Sequence, residues 1–446
     1  MPEGSLERPF RKPLDWKSPD FTDPEKLDRE MRRQLDVCHG CRRCFNLCDS
    51  FPRLFDLIDG AKTGELDSVD SKDFKPVVDA CTLCDMCFMT KCPYVPPHEF
   101  DIDIPHLMLR YRAAQAKTGE IGLVHRQLTE TDRNGKLNCG AMSGVVNWAS
   151  SCGNHLTRPV MEMALGVDKK AELPAFSKKT LVKMAADEPL AVNREAPALG
   201  RKAVIYATCF ANYNQPEIGL AARKVLAQNG VETKVVYPEC CGMPQLETGQ
   251  IERVAEKAKR IAIEMGRYID EGWDIVALVP SCALMLKFEW PLIVPNDADI
   301  EKLARSTFDI PQYVMEIARK HGMAPGLKPV QGGVTVHIAC HARAQNMGRK
   351  AEEMLKLIPE TDVAVIERCS GHGGAWGIMK ENFDVALKVG KPVARQAKEK
   401  GHGIVVSECP LARSHVLQGI GLEGGDTQAI KQFTHPIEIL AHAYGL

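Results

Sequence analysis

Cys209, Cys240 and Cys282 recur further along this 446-residue chain as Cys340, Cys369 and Cys409, at offsets of 131, 129 and 127 residues. Three offsets agreeing within four residues indicate an internal duplication. Each cysteine closes a short β-rich run or lies just beyond one: KAVIYATC, ETKVVYPEC and DIVALVPSC, then GVTVHIAC, DVAVIERC and GIVVSEC. Helix-patterned stretches separate the runs, at Ile218 to Gln228, Ile251 to Ile269, near Ala351 to Leu357 and near Asp384 to Lys398. This β–α–β alternation predicts parallel sheets covered by helices. Open sheets of that kind gather their ligands outside the carboxyl ends of the strands, where these cysteines fall. Cysteines used merely as small apolar residues leave the matched strand ends unexplained. Two α/β repeats are therefore expected, over 201–325 and 326–446.

Eight of the 17 cysteines lie much earlier, between Cys38 and Cys92. CHGCRRCFNLC sets Cys38, Cys41, Cys44 and Cys48 at gaps of two, two and three residues, and CTLCDMCFMTKCP repeats the layout at Cys81, Cys84, Cys87 and Cys92 with a last gap of four. Three thiolates at that spacing wrap one loop around three corners of a cubane, and in two-cluster ferredoxins the fourth cysteine ligates the other cluster. Applied here, one [4Fe–4S] cluster takes Cys38, Cys41, Cys44 and Cys92, and the other takes Cys81, Cys84, Cys87 and Cys48. Pro93 fits the usual exit turn, whereas Asp49 stands where the first run would carry proline. Zinc also binds paired C-x-x-C motifs, but it gives no reason for a third cysteine at the same spacing in both runs.

Residues 26–120, around these motifs, show helical patterns (EKLDREMRRQLD, IPHLMLRYRAAQ) and no convincing strand. Residues 1–25 read as an extended arm, and 121–200, rich in Gly, Asn and Ser clusters, as a linker or insert. With 57 basic and 58 acidic residues the net charge is −1, so the footprint of a dedicated nucleic-acid binder is absent. The N-terminus lacks an apolar leader core, and the longest apolar runs, Ile275 to Pro280 and Ala283 to Leu286, are far short of the ~20 residues of a spanning helix. A cytoplasmic protein with no transmembrane segment is expected, and there cysteines serve as metal ligands more often than as disulfides. Whether an amphipathic surface such as Leu107, Met108 and Tyr111 meets the inner face of a membrane is left open.

The cysteine module is similar to the α-helical ferredoxin domain of succinate dehydrogenase iron–sulfur subunits. The strings CFANYNQPEIG, ECCGMPQ, CSGHGGAWGIMKENF, SECPLA and HPIEILAHA resemble the family that holds the iron–sulfur subunit of anaerobic glycerol-3-phosphate dehydrogenase and the heterodisulfide reductase-related iron–sulfur oxidoreductases. The resemblance covers about residues 30–120 and 201–446. It implies a helical ferredoxin domain followed by two Rossmann-like cysteine-rich repeats, an α/β fold with an all-α N-terminal part. The full family motif carries five cysteines, but Met285 and Ala412 stand at the fifth position, and Ser370 replaces one of the paired cysteines in the second repeat. Cys209, Cys240, Cys241 and Cys282 remain as ligands for a third iron–sulfur cluster. Cys340, Cys369 and Cys409, with His341 and His372 nearby, hold either zinc or an iron–sulfur cluster, or form a decayed site. His435 reads as structural, and Cys139 and Cys152 are unassigned.

No dinucleotide fingerprint, P-loop or nucleophile elbow occurs. The resemblance implies an electron-transfer subunit that relays electrons between a flavoprotein dehydrogenase and a quinone or redox-protein acceptor. Two alternatives are a disulfide or persulfide reductase acting at a cysteine-rich cluster, and an electron donor or docking partner of a rubrerythrin-type peroxidase.

Overall fold

A computed structural model of the chain describes residues 3–5 and 7–446. Of the expected arm over 1–25, residues 1, 2 and 6 lie outside the described residues. The rest of that segment runs along the protein without a strand or a long helix until Pro24–Cys41 begins. Asp23 caps this helix by accepting from the Lys26 amide at 2.9 Å, and Pro24 opens it. Leu27, Met31 and Leu35, four residues apart, form its buried stripe, and Arg42 ends it at a left-handed φ of 50°. Ser50–Asp59 buries Phe51, Leu54, Phe55 and Ile58 on one face. Ile104–Thr118 packs back across Pro24–Cys41. The region around the eight cysteines is thus helical, as its periodicity indicates.

Beyond residue 200 the architecture is mixed helix and parallel sheet. Strands β1 (Lys202–Tyr206), β2 (Glu232–Val236), β3 (Asp274–Ala277) and β4 (Thr307–Asp309) form one sheet in the order β2-β1-β3-β4. Strands β5 (Val334–His337), β6 (Val363–Ile366) and β7 (Ile404–Ser407) form a second in the order β6-β5-β7. All pairings are parallel: Ala203 faces Thr233 and Asp274, and Thr335 faces Ala364 and Val405. The common order, with the first strand of each repeat in the middle, is what duplication requires. β4 has no counterpart strand in the second sheet, although the Ser407 amide donates to the Thr434 carbonyl at 3.1 Å, so the chain follows the same course there.

Central β1 explains how the parts join. Its side chains alternate between sheet faces. Val204 and Tyr206 enter a core shared with the helical cysteine region, whose members include Leu35, Phe55 and Met108. Ala203 and Ile205 enter a second core with Val334, Val336, Ile404 and Val406 of the other sheet. β1 and β3 of the first repeat are therefore covered on both faces, which is why they read as apolar runs, whereas the edge strand β2, ETKVV, is exposed or half-buried along its length.

The segment 121–200 carries helices at Leu123–Leu128, Thr131–Asn138, Ser143–Ser150, Thr157–Leu165 and Leu181–Asp187. Leu107 and Met108, offered by the sequence as a surface, are buried, and Tyr111 is partly so.

Candidate iron–sulfur site

The helix Pro24–Cys41 delivers Cys38 and Cys41 from its last turn, and the left-handed Arg42 swings the chain toward Cys44. Cys38, Cys41, Cys44 and Cys92 together line a cleft walled by Phe51, Phe55, Tyr94 and Ile102. Burial pushes the Cys38 thiol well above its ordinary range, and the neighbouring Cys92, Cys44 and Cys41 add to that. Cys48 is raised in the same way, by burial and then by Cys84 and Cys81. Cys87 is raised by burial and then by Cys84, Cys81, Cys48 and Cys44. Cys38 thus has Cys41, Cys44 and Cys92 as neighbours, and Cys87 has Cys48, Cys81, Cys84 and Cys44, so thiols of the two motifs face one another.

In the first repeat, Cys209 opens the helix Cys209–Tyr213 just after β1, Cys240 and Cys241 follow β2, and Cys282 lies in Pro280–Leu284 after β3. Gly242, at φ 88°, makes the turn that aims both adjacent thiols inward, a conformation open to glycine and costly elsewhere. Cys240 Sγ lies 3.7 Å from Cys209 Sγ, and Cys241 Sγ lies 3.3 Å from Cys282 Sγ. Contacts with Cys209 and Cys241, aided by Lys257, hold the Cys240 thiol well below its ordinary range. Asp132 accepts from the Cys240 amide at 3.0 Å, from the Tyr237 hydroxyl at 2.5 Å and from Lys257 Nζ at 3.0 Å. Trp290, fully buried, donates its indole N–H to the Cys241 carbonyl at 3.2 Å.

The second repeat behaves differently. Cys340 interacts through its thiol with Cys369, and also with Cys84 of the N-terminal motif. Cys84 reaches across because it stands between two left-handed residues, Leu83 at φ 47° and Asp85 at φ 62°. Cys369 accepts from the Gly371 amide at 3.4 Å and is lowered to about 7, first by Cys340, against burial. Cys409 caps Pro410–Leu422, and its surroundings are the amides of Ala412 and Leu411 and the carboxylates of Glu408 and Glu247. His341 engages both ring nitrogens elsewhere, with Ser281 Oγ at 2.8 Å and the Leu83 carbonyl at 3.3 Å, so it ties three parts of the chain together. His372 Nε2 is buried and without a hydrogen-bond partner. His435 caps Pro436–Tyr444, its Nδ1 accepting from the Ile437 amide at 3.1 Å, in keeping with a structural role. Cys139 ends the helix Thr131–Asn138, and exposed Cys152 donates to the Ala171 carbonyl at 3.3 Å. Among the described residues no three donors surround a single metal-ion point.

Sequence reasoning missed the groups that brace these loops. Arg112 donates to the carbonyls of Val78, Cys81 and Glu247, joining the second cysteine motif to the first repeat. Arg11, from the arm, is bonded to Asp85 at 2.7 Å, Asp103 at 3.1 Å and Glu289 at 3.0 Å. His106 completes that buried network through Glu289 and Asp103, each at 3.2 Å. Apart from His106 and Asp103, three residues apart, each partner lies tens to hundreds of residues from the other, so spacing carried no signal.

The family described as a cysteine-rich domain, CCG, matches residues 203–287 and 334–415. One subunit of the anaerobic glycerol-3-phosphate dehydrogenase of Escherichia coli is 26% identical over 350 residues, 77% of this chain and 82% of the relative. One subunit of the fumarate reductase (CoM/CoB) of Methanothermobacter marburgensis is 27% identical over 254 residues, 55% of this chain and 47% of the relative. An iron–sulfur protein of Methanocaldococcus jannaschii is 30% identical over 220 residues, 48% of this chain and 41% of the relative. Among the described residues no helix is long and apolar enough to cross a membrane. The chain is a homologue of this anaerobic glycerol-3-phosphate dehydrogenase subunit and of related iron–sulfur proteins, and it carries the cysteine-rich domain twice.

Proposed function

We propose that this protein is an iron–sulfur electron-transfer subunit, relaying electrons on the cytoplasmic side between a partner dehydrogenase and a quinone or redox-protein acceptor. In this reading a helical ferredoxin domain, residues 26–120, precedes two Rossmann-like repeats, 201–325 and 326–446. The observation that carries it is the grouping of thiols: four lining one cleft, four more beside them, and a further four at the strand ends of the first repeat. The donor set fits iron. Buried thiols at Cys38, Cys48 and Cys87 resist ionisation, and binding of an iron cation offsets that cost while releasing their protons. Cys38, Cys41, Cys44 and Cys92 would hold one [4Fe–4S] cluster, Cys48, Cys81, Cys84 and Cys87 another, and Cys209, Cys240, Cys241 and Cys282 a third. When bound, such clusters supply reversible one-electron storage. The protein's own share is to bury them, to brace their loops through Arg112 and Asp132, and to bring Cys84 beside Cys340 and Cys369. That last contact makes the second repeat an exit toward the acceptor or its docking site.

The alternative of a disulfide reductase working at a five-cysteine cluster lacks the fifth thiol, since Met285 and Ala412 occupy those positions and are buried in the packing. Anaerobic reconstitution with iron and sulfide, followed by metal analysis and EPR, tests the proposal. About eight or more irons per chain with reducible signals is the expected result. Fewer, or no reducible signal, overturns it.

A further inference from the structure

The helix Thr131–Asn138 belongs to the segment between the helical module and the first repeat, yet its first two side chains end at Cys240. Asp132 accepts from the Cys240 amide with both carboxylate oxygens, at 3.0 and 3.1 Å. An amide held in this way does not donate to sulfur. The Tyr237 hydroxyl donates to the same carboxylate at 2.5 Å, and burial, then Cys209 and Cys240, push that hydroxyl up, so it stays a donor. The Thr131 hydroxyl, buried and otherwise unpartnered, lies within reach of the Cys240 thiol.

Lys257 answers the carboxylate. Its Nζ lies 3.0 Å from Asp132 and 3.8 Å from Glu239, with 9% of the side chain exposed. Arg260 engages Glu239 at 2.9 Å, which leaves Lys257 chiefly to Asp132. Cys240 and Cys241 are buried, and the fully buried Tyr206 and Trp290 stand beside them. Charges next to such a site are screened weakly by solvent and salt. One-electron reduction adds negative charge there, so a fixed carboxylate opposes it and a fixed ammonium favours it. Hydrogen bonds to sulfur favour it as well. Asp132 therefore acts against reduction twice, by its charge and by occupying the amide, whereas Lys257 and Thr131 act in favour.

We infer that Asp132 is a positioning residue that sets the reduction potential of the first-repeat cluster low, with Lys257 as its counterweight. This rests on the electron-transfer reading, and within it on Cys209, Cys240, Cys241 and Cys282 holding a cluster. It gives a part in electron transfer to a segment that lies outside the matched cysteine-rich domain, which begins at residue 203.

The test is an EPR-monitored redox titration of the anaerobically reconstituted full chain, with iron measured alongside. Asp132→Asn removes the charge but keeps an acceptor for the amide. One couple should then move up by an equilibrium factor of about ten or more, equivalent to about 59 mV for one electron. Lys257→Met should move the same couple down, and the other couples should stay in place. Opposite shifts from the two members of one ion pair are not what a loosened loop produces, since loosening acts in the same sense in both variants. Three couples of which none moves, or a couple that both variants move in one direction, overturns the inference and leaves the electron-transfer reading standing. So does a protein that loads about eight irons and shows only two couples. If one variant loses iron the other decides, and loss of iron in both assigns Asp132 to bracing alone and overturns the inference. Absence of any reducible couple in the wild type overturns the electron-transfer reading itself, and this inference with it.

Discussion

Asp132 completes the first-repeat site from outside either repeat. Its carboxylate holds the Cys240 amide, the Tyr237 hydroxyl and the Lys257 ammonium. Asp132→Ala leaves three polar groups without their acceptor and should cost about 2 kcal/mol in denaturant unfolding, with Asp132→Asn recovering part. The network around Arg11 yields a prediction about acid. Burial alone would raise Glu289, but His106 and Arg11 outweigh it and hold the carboxyl at about 2. A lowered carboxyl contributes stability that is present above its unfolded value, near 4.3, and is lost as pH falls from there toward 2. Glu289→Gln should therefore show a shallower loss of melting temperature over that window than the wild type. Asp85, raised by burial, acts in the opposite sense, so the difference between variant and wild type is the quantity to measure. The cysteine ligand candidates were legible because metal chemistry fixes their spacing along the chain. Asp132 and Arg11 were not, because their partners lie between 105 and 125 residues away and between 74 and 278 residues away.

Strands β1, β3, β5 and β7 were legible as elements, since a strand buried on both faces must be an apolar run. β4 was not. It has three residues, and it is a strand only because β3 already offers it an edge. The helices of 121–200 escaped for another reason: Gly, Asn and Ser there act as hydrogen-bonding struts, a role that composition cannot distinguish from looseness. Close packing between elements gives a further test. A Cβ at Gly390, in the helix Phe383–Lys400, would lie 2.2 Å from the Ser370 carbonyl oxygen. Gly390→Ala should thus displace the segment that presents Cys369 and lower stability by about 2 kcal/mol or more, seen as a lower denaturation midpoint. At the end of the chain, His435→Ala removes the cap of Pro436–Tyr444 and should cost about 1–2 kcal/mol, whereas His435→Asn keeps most of it.

Across the whole molecule, the arm ties the parts together. Backbone bonds from Ser5 to Pro93, Phe10 to Pro96 and Leu14 to Leu292, with Trp16 donating to the Ile293 carbonyl at 2.7 Å, run it from the cysteine module to the first repeat. Arg11 sits in the middle of that run with three carboxylates. Arg11→Ala strands those carboxylates and should destabilise the protein by about 3–5 kcal/mol, with faster hydrogen exchange in the loop around Asp85 as the local signature. The relative order of helical module and two repeats was legible from cysteine spacing, but how they are fastened was not.

The arm also sets an order of events during synthesis. Arg11 leaves the ribosome well before its last partner, Glu289, which follows 278 residues later. At roughly 5–20 residues per second that is an interval of about 14–56 seconds. From Cys92 to Glu289, 197 residues, the cysteines from 38 to 92 have been made while the strap over them cannot close. The module is thus open while those 197 residues are made, and it is sealed only after most of the first repeat has followed.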